Sequence, residues 1–285
     1  MTSDASTSPS GRLAFLGPEG TFTEEALLAN MPSGERFPFP YPSIRDVVRA
    51  VETGEAELGL VPIENSIEGS VSLTLDLLAF GEEELHIVRE ITHPIHQQLI
   101  VREPVELDRI SKIVSIPHAY NQCREFVRTN LPRAEHEASD STAEAVRRIA
   151  RIERPWAAIG SRLAADMYEC TVLRDDIEDF ADNRTRFVFL ARQPAAPDPA
   201  TACKTSIVCG IAQDEPGSLL LILSEFAYRH INLSKVESRP SKLALGHYVF
   251  FIDFEGRSDD PSVAQALKCL ACKLPWLRVL GSYPF

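Results

Sequence analysis

The chain has 285 residues, 44% of them hydrophobic and 25% charged, which fits globular protein with room for about two domains at roughly 100–200 residues each. With 29 Lys and Arg against 41 Asp and Glu, the formal net charge is -12. That balance argues against nucleic acid as a partner, because phosphate binding needs a concentrated basic surface, and against an anionic membrane for the same reason. Any anionic substrate must then be held inside a pocket by local Arg, hydroxyl and backbone N–H groups.

No stretch approaches the roughly 20 consecutive apolar residues of a membrane helix. Residues 1–12, MTSDASTSPSGR, lack an apolar segment and read as a disordered leader and not as a signal peptide, so a cytoplasmic location is expected. The six cysteines are Cys123, Cys170, Cys203, Cys209, Cys269 and Cys272, and their scatter suits reduced thiols better than a disulfide framework. Cys269 and Cys272 form a lone C-x-x-C inside the helical pattern VAQALKCLACKL, without the further ligands zinc needs. No metal and no cofactor are expected.

In chain order, RLAFL (12–16) is a short strand running into the turn GPEGT and a helix from Thr23. A helix follows around SIRDVVRAVETGEA, then the strand LGLVPI, the turn ENSIEGS, the helix SLTLDLLAF and an apolar strand ending near Val88. Alternating β and α units imply a parallel or mixed sheet with helices on its faces. From about residue 93 a second set begins, HPIHQQLIVRE, SKIVSIPHAYNQCREFVRTN and DSTAEAVRRIARIERPWAAIGSRLAADMY, again strand and helix in turn. RTRFVFLA (184–191) is a strand consistent with a return toward the first lobe, and QPAAPDPATA reads as a linker. The tail gives β-α-β-β-α-β, the ferredoxin-like arrangement of a module of roughly 70–80 residues.

Six phrases in the body of the chain, taken in order, resemble those of prephenate dehydratases. They are GPEGTFTEEA (17–26), VPIENSIEGSV (61–71), SIPHAYNQC (115–123), STAEA (141–145), AAIGSRLAADMY (157–168) and DNRTRF (182–187). PGSLL (216–220) and VESRP (236–240) resemble the ligand-binding phrases of phenylalanine-sensing ACT domains. The resemblance implies an α/β fold: a two-lobed, periplasmic-binding-protein-like catalytic domain over 11–193 with its second lobe at about 93–168, a linker at 194–203, and an ACT regulatory domain at 204–282. It implies decarboxylating dehydration of prephenate to phenylpyruvate, feedback regulation by L-phenylalanine, and a homodimer or homotetramer, since ACT modules pair side by side.

Prephenate is a dianion whose ring loses a carboxylate as CO2 while hydroxide departs from the opposite ring position, and aromatisation drives the change. The protein has to hold two carboxylates and assist the leaving oxygen, which calls for placed hydrogen-bond donors. By resemblance Thr185 donates to the leaving hydroxide, with Asn65, Ser115 and Gln122 as further catalytic residues. Thr21, Ser66, Thr142, Arg186 and Phe187 are expected to bind substrate, Arg186 as a forked carboxylate donor. Caps and strand packing would account for several of these residues without any ligand. In the tail, Gly217, Ser218, Leu219, Glu237, Ser238, Arg239 and Pro240 are expected to contact the effector. Relatives commonly read S-H-P-Q-A-L-x-Q-C where this chain has Ser115, Ile116, Pro117, His118, Ala119, Tyr120, Asn121, Gln122 and Cys123. His118 is therefore either a replacement polar contact or a loop residue. His93 and His96 read as structural or rim residues.

Overall fold

The structure is a computed structural model and describes residues 11–31, 36–81, 84–198, 200–211, 215–242 and 247–285. The leader up to residue 10, position 199 of the linker, and the first residues of LGHYVFFIDFEG lie outside the described residues. One compact unit comprises the chain up to Thr74 together with Ile91–Phe187; the other comprises Leu75–Glu90 with Val188–Phe285. Among the described residues no helix is long and apolar enough to cross a membrane.

The chain begins with β1 (Arg12–Leu16), α1 (Phe22–Ala29), β2 (Phe37–Tyr41), α2 (Ile44–Glu52), β3 (Leu58–Asn65), β4 (Gly69–Ser70), α3 (Ser72–Phe80) and β5 (His86–Pro94). β1 pairs in parallel with β2 and β3. Val47, Val48 and Val51 give α2 an apolar stripe that is fully or nearly fully buried, and the Ser43 hydroxyl caps the helix by accepting from Asp46 N at 3.2 Å. β2 had no counterpart in the sequence reading: its two prolines, Pro38 and Pro40, suit an edge strand, where missing donors cost nothing.

A second sheet follows from β6 (Gln98–Val101), β7 (Lys112–Ser115), α4 (Pro117–Gln122), α5 (Arg124–Asn130), β8 (Glu135–Ala138), α6 (Thr142–Ile149), β9 (Trp156–Gly160), α7 (Arg162–Met167) and β10 (Thr171–Arg174). Its strand order is β10-β6-β9-β7-β8. The lobe thus reaches Arg174 and not about residue 168, because β10 adds antiparallel to β6. Two apolar clusters cover the faces of this sheet, one including Leu99, Ile113 and Ile159 and one including Ile100, Val114 and Val146. That alternation is the period of two expected of a strand covered on both sides.

β11 (Arg184–Ala191) then joins the first sheet, whose order is β2-β1-β3-β11-β5 with β4 paired to β3. Three elements, α3, β5 and β11, start in one compact unit and finish in the other.

The tail is β12 (Cys203–Gly210), α8 (Ser218–Ala227), β13 (Leu233–Pro240), β14 (Tyr248–Glu255), α9 (Pro261–Lys273) and β15 (Trp276–Pro284). Sheet order β13-β14-β12-β15 with antiparallel pairs confirms the expected βαββαβ arrangement. Ile207, Ile222, Phe226, Ile252, Phe254 and Leu270 form the centre of its core. Cys269 and Cys272 lie on α9 as free thiols. Gly281 permits a close approach that a side chain would block, since a Cβ there would sit 2.1 Å from the Ile87 carbonyl oxygen.

Candidate active site

A cleft of about 420 Å³ opens in the first unit, a volume usual for a small-molecule site. Its walls come from the loop after β1 (Thr21), the turn between β3 and β4 (Asn65, Glu68), α4 (His118, Gln122) and the start of β11 (Thr185). Ser161 Oγ donates to the Gly20 carbonyl at 2.6 Å, a buried bond that ties the first-lobe loop to the second lobe.

The turn after β3 orients Asn65. Its Oδ1 accepts from the N–H groups of Ile67 at 3.0 Å and Glu68 at 3.1 Å, and Gly69 supplies the left-handed residue (φ +80°) that closes the turn. With Oδ1 so engaged, Nδ2 points the other way and donates to Asn183 Oδ1 at 2.8 Å and Thr185 Oγ1 at 3.0 Å, with the Arg184 carbonyl at 3.2 Å. Ser66 is the clamp on the facing segment, donating from its hydroxyl to the Asp182 carbonyl and accepting from Arg184 N at 2.9 Å. Thr185 is 9% exposed, and its own hydroxyl hydrogen has no acceptor among the described residues.

Asn183 is 1% exposed and passes the order on: its Nδ2 donates to Gln122 Oε1 at 3.1 Å, and its backbone carbonyl accepts from Ile95 N at 2.8 Å. Gln122 Nε2 in turn lies 2.8 Å from His118 Nε2 on the same short helix. A continuous chain of neutral amides thus runs from one lobe to the other beneath the cleft. Asn183 was not among the expected site residues, and His118 stood open between a polar contact and a loop residue. Only His118 carried a usable signal, its i, i+4 spacing from Gln122.

The expected residues divide accordingly. Thr21, Asn65, Gln122, Thr142 and Thr185 line the cleft together. Thr21 precedes α1 and donates to the Leu16 carbonyl at 3.2 Å, and Thr142 is the first residue of α6, capped by Ser141 Oγ accepting from Glu144 N at 2.9 Å. Ser66, Ser115, Arg186 and Phe187 do not line it. Ser115 ends β7 fully buried, with its Oγ unpartnered among the described residues. Arg186 faces away from Thr185, as alternate strand residues do, with its Nε 3.2 Å from Glu64 Oε2, and Phe187 is 2% exposed in the core. In place of a forked arginine, the wall offers neutral donors and one imidazole.

In the C-terminal module, Gly217 precedes α8 in a left-handed conformation (φ +95°), with Ser218 and Leu219 opening the helix. Glu237, Ser238, Arg239 and Pro240 end β13. Arg239 Nη2 lies 3.1 Å from Asp76 Oδ1 on α3 and Nη1 3.7 Å from Glu237.

Fold and cleft together define a two-lobed α/β enzyme carrying an ACT domain. A family model described as prephenate dehydratase matches residues 13–195, and one described as ACT domain matches residues 205–271. The prephenate dehydratase of Bacillus subtilis (strain 168) is 37% identical over 289 residues, covering 95% of this chain and 98% of that protein. The crystal structure of prephenate dehydratase from Arthrobacter aurescens in complex with L-Phe is 41% identical with a TM-score of 0.88, covering 96% of this chain and 90% of that one. The solved structure of GqqA, described as a novel type of quorum quenching acylase, shares the fold at 27% identity and a TM-score of 0.84, covering 96% of this chain and 97% of its own. The chain belongs to the prephenate dehydratase family. Its activity is that of a decarboxylating hydro-lyase, with the ACT domain at its C-terminal end.

Proposed function

We propose that Thr185 is the donor that assists the departing hydroxide when prephenate bound in this cleft loses its ring carboxylate. The electron pair of the broken C–CO2 bond enters the ring, the ring C–O bond breaks with its pair going to oxygen, and that oxygen takes the Thr185 hydroxyl proton to leave as water, with solvent returning a proton to Thr185. The observation that carries this role is the bond from Asn65 Nδ2 to Thr185 Oγ1 at 3.0 Å, which fills an acceptor position on Thr185 and leaves its hydrogen for a bound group. An alcohol suffices as the donor because the species protonated is hydroxide, whose conjugate acid has a pKa of about 15.7. Asn65 and Gln122 fix the donor, Thr21 and Thr142 line the substrate's place, and Ser66 holds the loop on which Asn65 stands.

The ACT domain is read as a phenylalanine sensor, acting through the Gly217–Leu219 and Glu237–Pro240 segments in a homodimer or larger assembly in the cytoplasm. The L-Phe complex of the Arthrobacter relative supports this effector. The test is direct: purified protein incubated with prephenate should yield phenylpyruvate, read by its absorbance in alkali, and added phenylalanine should slow the reaction. A non-aromatic product would refute the dehydratase reading. An unchanged rate and melting temperature with phenylalanine would refute the sensor.

A further inference from the structure

Glu68, His118 and Asp140 are the ionisable side chains that line the cleft, and no Lys or Arg lines it among the described residues. A small dianion therefore enters a space whose fixed charge is unfavourable, and its carboxylates have to find uncharged donors. The hydrogen-bond directions identify one. Backbone N–H groups set the Asn65 amide, Asn65 sets Asn183, and Asn183 sets Gln122 with its oxygen accepting. Gln122 therefore presents NH2 to His118 Nε2 at 2.8 Å, so this ring nitrogen accepts and the imidazole proton resides on Nδ1. That Nδ1–H faces Glu68 Oε1 at 3.3 Å. The chain closes on itself, starting at the Glu68 backbone N–H and ending at the Glu68 carboxylate.

We infer that His118 is a substrate-binding residue whose Nδ1–H takes a carboxylate of the dianion, and that Glu68 occupies this donor as a stand-in until substrate displaces it. The inference rests on the proposed substrate and specifies a contact for it. The exchange is cheap because both side chains are near half exposed, 44% for His118 and 47% for Glu68. An exposed pair of this kind holds together by only about 0–1 kcal/mol. His118 thus acts as a donor oriented by Gln122.

The test is a double-mutant cycle on prephenate turnover, with melting temperatures recorded for each variant. His118→Ala should raise KM about tenfold, the size of one lost hydrogen bond to a charged group, with kcat changed far less. His118→Gln, which restores an N–H donor, should recover most of that KM. Glu68→Gln should lower KM severalfold in the native background and much less in the His118→Ala background, because the stand-in then has no donor to occupy. Additive effects, or a His118→Gln variant no better than His118→Ala, would overturn the inference while leaving the enzyme's activity established. Failure of the unmodified protein to form phenylpyruvate would overturn the functional reading and this contact with it.

Discussion

The cleft and the C-terminal module are secured by different chemistry. Around Thr185 the contacts are neutral amides, Asn65, Asn183 and Gln122, each donating and accepting in a fixed direction. In the unit that contains the module, the ties to α3 and β5 include ion pairs: Asp76 receives Arg239 at 3.1 Å and Lys242 at 2.8 Å, and Lys204 meets Glu90 at 2.9 Å. Neutral amide chains hold direction independently of pH and salt, which suits a donor that must be aimed. Ion pairs can exchange partners and respond to added charge, which suits the sensing role proposed for the module.

The contrast can be broken from either side. Among the residues that hold the two regions, Asn183→Ala should have the largest effect, because it frees both Asn65 and Gln122. We expect kcat to fall about 100-fold, the scale of a misplaced catalytic group, with a much smaller change in KM, as read from steady-state kinetics. A kcat within a fewfold of the parent would show that the amide chain is packing and not positioning. Lys204→Met comes next. Lys204 and Glu90 side chains are 9% and 7% exposed, so the substitution removes a buried ion pair and should cost about 3 kcal/mol in chemical denaturation. Asp76→Asn should be mildest for stability but specific in regulation. α3 begins beside the Asn65 turn in the first unit and carries Asp76 in the second, so loss of the Arg239 and Lys242 pairs should raise the phenylalanine concentration for half-inhibition about tenfold. An unshifted inhibition curve would remove Asp76 from the route between effector and cleft.

Most elements were readable from periodicity and turn residues: α3 follows its expected bounds, and the βαββαβ tail matches strand for strand. β2 was not readable, because FPFPY alternates aromatic and proline in a way that suits an edge strand only once its parallel pairing to β1 is known. At the site, the resemblance of DNRTRF and VPIENSIEGSV pointed to Thr185 and Asn65, but direction was lost. Strand alternation alone argues that Thr185 and Arg186 face opposite sides, and Arg186 indeed meets Glu64. Asn183 gave no such hint, since an asparagine before a strand reads as turn residue; its role exists only through partners 118 and 61 positions away in sequence.

The central claim is that a hydroxyl at position 185, aimed by Asn65, assists the leaving oxygen. Single-turnover rates of prephenate conversion for Thr185→Ala and Thr185→Ser test it most directly. The alanine variant should lose about 100- to 10,000-fold in the chemical step while still binding prephenate, and serine should recover most of the loss. An alanine variant that turns over as fast as the parent would contradict the account.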